Sequence, residues 1–166
     1  MTPTDDTDVP TAAPEVFSDP WAQQICRALA ASDDYRRAAE GWEGALAFEV
    51  ASTASPEAGG EPGRAVVLDL HHGACRGARA ASQAELDEGL PGVPFVIRAQ
   101  PQAWRDILER GTDPLFALMS GKLKLARGSL GALMPFARAA QMLVATVRAV
   151  PGTLPAGWTG RSAGNG

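Results

Sequence analysis

Apolar residues return every four positions from Trp21 through Ile25 to Leu29, with Ala22 and Cys26 alongside, which is the period of a helix with one buried face. Ser18 or Asp19 before Pro20 supplies its start. A shorter helix is predicted after it, capped by Asp33, in which Tyr35, Ala38 and Ala39 lead to Gly41. At Trp42 the period falls to two. Leu46, Phe48 and Val50 alternate with Ala45, Ala47 and Glu49, a strand with one apolar and one small or polar face. Arg64 to His72 repeats that pattern, with Val66, Leu68 and Leu70 on one face and Val67, Asp69 and His71 on the other. A third short strand is expected from Cys75 to Ala80 and a fourth over Phe95 to Arg98. Residues 52–63 read as a flexible loop and 83–94 as a polar, acidic turn or loop. The first two linkers are too short for crossover helices, so an antiparallel meander is the economical connection.

The second half returns to helical spacing. Pro101 opens a helix with Trp104, Ile107 and Leu108 on one face, Arg105, Asp106, Glu109 and Arg110 on the other, and Gly111 at its end. Asp113 and Pro114 start a short apolar helix that Gly121 stops. Lys122, Leu123, Lys124 and Leu125 then alternate as a strand whose wet face is basic, as edge strands often are. Gly128 closes it and Ser129 caps a helix opening with Leu130, Leu133 and Met134. Pro135 lacks an amide donor, so that helix should kink or restart there. Beyond it Phe136, Ala140, Leu143, Val144 and Val147 form one apolar stripe, which Val150, Pro151 and Gly152 end.

Composition narrows the class. The 166 residues, 45% hydrophobic and 20% charged, suit one globular domain, expected over residues 18–150. Residues 1–17 read as a disordered acidic tail and 151–166 as a flexible C-terminal tail. No run is expected to reach the eighteen or so apolar residues of a membrane span, and no signal peptide is recognised, so a cytoplasmic location is expected. Cys26 and Cys75 then read as free thiols. The formal charge of −4 is unevenly spread. After Asp113 there is no acid, while Lys122, Lys124, Arg127, Arg138, Arg148 and Arg161 are basic. That asymmetry is either ordinary solvated surface or a site for an anion such as a fatty carboxylate, a coenzyme A phosphate or a membrane headgroup. Nucleic acid is excluded as a partner, because the charges are spread out and lack a recognition motif.

Catalytic motifs are scarce. Gly121-Lys122 is not a phosphate-binding loop, since Phe116 stands where that loop needs Gly and Leu123 where it needs Ser or Thr. His71, His72 and Cys75 are the soft-ligand cluster, but adjacent histidines in a strand point to opposite faces, so no metal site is expected unless the strand ends first. No nucleophile elbow or dinucleotide fingerprint occurs, and no cofactor is expected. Asp69 and His71 could serve an isomerase or cyclase if they faced an apolar pocket.

An apolar cavity is suggested by the residues themselves: Phe116, Leu118, Met119, Leu130, Met134 and Phe136 supply more apolar surface than one sheet face needs. Trp104 with Ile107 and Leu108, Gly111, Asp113-Pro114, Met119-Ser120 before Gly121-Lys122-Leu123, and Gly128 with Leu133 carry a further indication. In these residues the chain resembles the sterol-carrier-protein type of lipid-transfer domain, in its stand-alone bacterial form. The resemblance is close over about a third of the chain; Ser129 departs from the acidic or amide residue common there, and the helix beyond it is longer.

It implies an α+β fold: about five strands in a mainly antiparallel sheet, helices on one face, and an apolar cavity between them. It also implies non-enzymatic binding and transfer of a fatty acid, fatty acyl-CoA or sterol-like lipid, with a transient membrane contact. The expected cavity wall comprises Trp104, Leu108, Phe116, Met119, Leu123, Leu125, Leu130, Met134, Phe136, Leu143 and Val147, and the ligand's head group would meet Lys124, Arg127 and Arg138. The alternatives are the Asp69–His71 enzyme and a protein-interaction module with an apolar groove.

Overall fold

In the computed structural model, residues 13–51 and 63–154 are described. Five strands, β1 (Glu43–Val50), β2 (Arg64–His71), β3 (Ala74–Ala80), β4 (Phe95–Ala99) and β5 (Lys124–Arg127), form one sheet in the order β3-β2-β1-β4-β5. The helices are α1 (Asp19–Ala30), α2 (Asp33–Ala38), α3 (Gln83–Asp87), α4 (Pro101–Arg110), α5 (Pro114–Ser120), α6 (Leu130–Leu133) and α7 (Ala137–Ala149). The fold is α+β, as expected.

The first three strands are a meander, with β1 pairing β2 and β2 pairing β3 antiparallel. β4 does not continue it. This strand lies on the other side of β1 and runs parallel to it, Leu46 beside Phe95 and Val50 beside Ala99. Val96, Ile97 and Ala99 are buried, and a strand apolar on both faces gains more from an interior position than from an edge. β5 closes the sheet antiparallel to β4.

One sheet face carries Leu46, Phe48, Val50, Val66, Leu68, Leu70 and Ile97 against α1, α4 and α7, and this is the main core. Ala47, Ala65, Val67 and Val96 on the other face are covered by Leu86, Leu90 and Val93. The stretch 83–94 is thus more than a polar loop. Ser82 and Glu85 make a reciprocal capping box that starts α3. Hydrogen bonds from Arg79 and from the Ser82 amide hold the Glu85 carboxyl down at about 2.

Three further expectations are corrected. Val16 and Phe17, placed in the N-terminal tail, are buried in the core, where the Phe17 ring lies 4.9 Å from Trp21 and 5.5 Å from Trp104. The backbone there is stitched to the far end of the domain: the Val16 amide donates to Thr153 and the Thr153 amide to Pro14, both at 2.9 Å. Two apolar residues in a polar stretch have no period to betray them. Residues 1–12 and 155–166 of the two expected tails, and loop residues 52–62, lie outside the described residues.

Cys26 and Cys75 are not free thiols but a disulfide linking α1 to β3. Finally, Leu130–Ala149 is twenty residues long with a mean hydropathy of 1.4, enough by length and composition to cross a membrane. It is broken by a 3-10 turn at Met134–Phe136, where Pro135 sits, and Ala139, Leu143 and Val147 pack its second part into the core.

Candidate functional site

Between the sheet and its helices lies an apolar pocket of about 60 Å³. Its floor is the inner sheet face, Leu46 and Phe48 of β1, Leu70 of β2 and Ile97 of β4, residues that alternation in each strand turns to the same side. Trp104 and Ile107 enter from α4, one turn apart on its apolar face. The Trp104 indole donates to the Glu49 carbonyl at 3.0 Å, which satisfies its polar edge while the ring packs 5.3 Å from Phe48. Trp42 is handled likewise: its indole donates to the Gly44 carbonyl at 2.9 Å, and its ring meets Phe95 and Phe136.

The walls come from the second half of the chain. Leu115 and Leu118 of α5, Leu123, Leu133 of α6, Phe136, and Leu143 with Val144 of α7 line the pocket. Asp113 caps α5 by accepting from the Leu115 amide, and Gly121 ends it in the left-handed region at φ 87°. That short helix buries only Pro114 and Ala117. Tyr35 and Ala39 close the pocket from α2, and burial pushes the Tyr35 phenol up to about 12.

Of the wall residues expected from sequence, Trp104, Leu123, Phe136 and Leu143 line this pocket. Leu108 and Val147 border a separate depression with Val16, Trp21 and Leu154. Leu125 is half-buried against the core. Phe116, Met119, Leu130 and Met134 do not line it: they are 58%, 74%, 40% and 49% exposed. In α5 every position from Leu115 to Met119 is apolar, so spacing alone cannot say which side faces in, and Leu115 and Leu118 do. The floor residues Leu46, Phe48 and Ile97 were absent from the sequence-derived wall, although alternation had already put Leu46 and Phe48 on one face; the pairing of β4 with β1 brings Ile97 beside Phe48.

The expected head-group residues fare differently from one another. Arg127 is committed to the fold, donating to the carbonyls of Leu90 and Val93 at 2.8 Å and of Gly89 at 2.6 Å. Lys124 and Arg138, with Lys122, take part in no ion pair among the described residues. Asp69 and His71 sit on the sheet face away from the pocket, and Asp69 pairs with Arg76 at 3.3 Å. An acid–base pair acting on a ligand in this pocket would have to come from other residues.

The histidines depart from the strand rule. β2 ends at His71, and His72 turns into the left-handed region at φ 50°, so the two imidazoles become neighbours with ring centroids 4.2 Å apart.

No protein-family model matches the chain, and no curated protein matches it. Solved structures do. A crystal structure of sterol carrier protein 2 is 48% identical, covering 82% of this chain and all of its own, with a TM-score of 0.71. The solution structure of a conserved hypothetical protein from Thermus thermophilus, described as a candidate sterol carrier protein, is 46% identical over 86% of this chain and 94% of its own, also at 0.71.

Proposed function

The chain belongs to the sterol carrier protein 2 family, and on that premise we propose that it binds a fatty acid, fatty acyl-CoA or sterol-like lipid between its sheet and helices and carries it without catalysing a reaction. The observation that carries this reading is the pocket itself, whose lining from Tyr35 to Val144 is aliphatic and aromatic. Each methylene buried there is worth about 0.8 kcal/mol, so a long acyl chain needs few polar contacts to bind. At about 60 Å³ the pocket is smaller than the roughly 150 Å³ that holds a benzene ring. A lipid therefore enters by displacing a wall, and the wall that yields is the one formed by α5 and α6, which bury only Pro114, Ala117 and Leu133 between them.

The outer side of that wall supports uptake at an anionic membrane surface. Among the described residues the exposed large apolar side chains, Phe116, Met119, Leu130 and Met134, all belong to the two segments that border the pocket. Lys122, Lys124 and Arg138, which make no ion pair among the described residues, accompany them, with no acid after Asp113. Apolar groups that enter the headgroup layer beside lysines and arginines are how peripheral proteins hold to anionic lipid.

Native mass spectrometry of the purified protein, with extraction of any bound lipid, and titration with a fluorescent fatty acid test the carrier reading. Leu118→Gln should weaken that binding at least about tenfold with little change in melting temperature. An empty protein that binds no fluorescent fatty acid, acyl-CoA or sterol overturns the proposal. Co-sedimentation with phosphatidylglycerol vesicles, and not with phosphatidylcholine vesicles, tests the membrane face. Met119→Ser with Met134→Ser should abolish it, and sedimentation unchanged by these substitutions refutes that face.

A further inference from the structure

The chain has two histidines, and the fold brings both to one place beside a carboxylate. Glu43, the first residue of β1, stands directly opposite His71, the last of β2, so their side chains share one sheet face. The chain then turns through His72 at φ 50° and Gly73 at φ 84°. Two successive positive φ angles are those of a tight hairpin turn, whose first central position usually takes Asn, Asp or Gly. A histidine there accepts a backbone conformation it does not favour. What the conformation achieves is convergence: one ligand atom each from Glu43, His71 and His72 lies within 4.8 Å of the other two.

The hydrogen bonds of His72 sharpen the point. Its Nδ1 is 2.9 Å from the carbonyl oxygen of Glu40, and a carbonyl can only accept, so Nδ1 carries a proton and donates. Its Nε2 is 2.8 Å from Glu43 Oε2. In the neutral tautomer that the Glu40 bond selects, Nε2 presents a lone pair to a carboxylate. Two acceptors at that distance need a cation between them, either a proton on Nε2 or a metal ion. A ring nitrogen freed for a metal because the other nitrogen donates to a backbone carbonyl is the usual outer-shell arrangement of a histidine ligand.

We propose that Glu43 Oε, His71 and His72 Nε2 form a binding site for one divalent first-row transition ion of the zinc type, with water completing its shell. Imidazole and carboxylate donors together favour zinc, nickel and copper over magnesium or calcium. Zinc bonds of about 2.0–2.1 Å put neighbouring tetrahedral ligands about 3.3–3.4 Å apart. The most distant pair, within 4.8 Å, therefore closes by at most about 1.5 Å, while His72 Nε2 and Glu43 Oε2, at 2.8 Å, open by about half an ångström. Glu43 and His72 are exposed and His71 is partly so. The turn itself is held, since the His72 amide donates to the Trp42 carbonyl and a Cβ on Gly73 would strike the Arg36 backbone. An ion there would clamp the start of β1 to the β2–β3 turn, one residue from Trp42, which lines the lipid pocket.

The test uses untagged full-length protein with its disulfide intact, so that no free thiol competes. Zinc titrated against a chromophoric chelator should show one equivalent bound. His72→Ala and His71→Ala should each weaken it at least about tenfold, and Glu43→Gln by about tenfold or more. Because the chain has no other imidazole, cobalt substitution should broaden the ring-proton resonances of both histidines. Circular dichroism melting of each variant without metal shows that the fold is retained. Absence of zinc binding at 100-micromolar-scale metal, or binding undiminished in a His71→Ala, His72→Ala double variant, overturns the proposal. Neither outcome touches the lipid-binding reading, which is measured with fatty acid and no metal.

Discussion

Cys26 in α1 and Cys75 in β3 are joined by a disulfide whose Cα atoms lie 5.3 Å apart across 49 positions of sequence. β3 is an edge strand, and α1 packs on it. The bond fastens the outermost strand to the helix layer at a place where the sheet itself has one neighbour to offer.

Closing a loop of that length restricts the unfolded chain and is worth about 2–4 kcal/mol. Reduction with dithiothreitol, or Cys26→Ala with Cys75→Ala, should lower the urea unfolding free energy by that amount while leaving the circular dichroism spectrum unchanged.

Tyr35 is the chain's one tyrosine, so its ionisation can be followed alone by absorbance near 295 nm. Burial raises its phenol to about 12 in the folded protein, against about 10 in an unfolded chain. The fold therefore favours the neutral form. The contribution is fully present below pH 10 and is lost as pH rises towards 12, a fall of about 2–3 kcal/mol. Urea midpoints measured across that range should show the drop in the native protein and not in Tyr35→Phe.

Arg127 closes a loop by binding three carbonyls, two of them from Gly89 at φ 81° and Leu90 at φ 56°. Bonds from a charged donor are worth about 1.5–3 kcal/mol when buried and less where water reaches them, as it does the Gly89 bond, and losing them leaves carbonyls unpaired. Arg127→Met should cost about 2–4 kcal/mol by chemical denaturation and leave fatty-acid affinity within about twofold. A large loss of affinity with unchanged stability would return Arg127 to the head-group role.

Gly121 and Gly128 flank β5, both with positive φ, 87° and 96°. Around a Cβ at Gly121 the space is open, whereas at Gly128 it would overlap the Phe95 ring, itself packed on Trp42. Gly121→Ala should cost about 1 kcal/mol, the conformational term alone. Gly128→Ala should cost at least about 2 kcal/mol, read as a drop in melting temperature, and should disturb the pocket through Trp42 in tryptophan fluorescence.

Most of the elements were legible because their signals are local. Ser18, Asp113 and Ser129 accept from the amides that their positions before Trp21, Leu115 and Ala132 require. The alternation of β1 and β2 places Leu46, Phe48, Leu68 and Leu70 on one face. Pro135 does interrupt the last helix. The site was less legible. Leu115, Leu118 and Leu133 line the pocket while Phe116, Met119, Leu130 and Met134 are exposed, because the uniformly apolar run in α5 has no wet side to orient it and α6 is a single turn, too short to show a period.

By itself, then, the sequence determined where most changes of chain conformation fall: the caps, except that Ser32 and not Asp33 caps α2, the glycine stops after α4 and α5, the two periods, and the Gly-Lys-Leu region that carries the family likeness. These depend on residues within a turn or two of one another. Tertiary structure alone decided what meets across the chain. It placed β4 beside β1, paired Cys26 with Cys75, buried Val16 and set Phe17 against Trp104, and folded His72 back beside His71 and Glu43. The physical reason is that none of these unions is prepared by sequence spacing. Each follows from which surfaces remain uncovered once the sheet and its helices have packed.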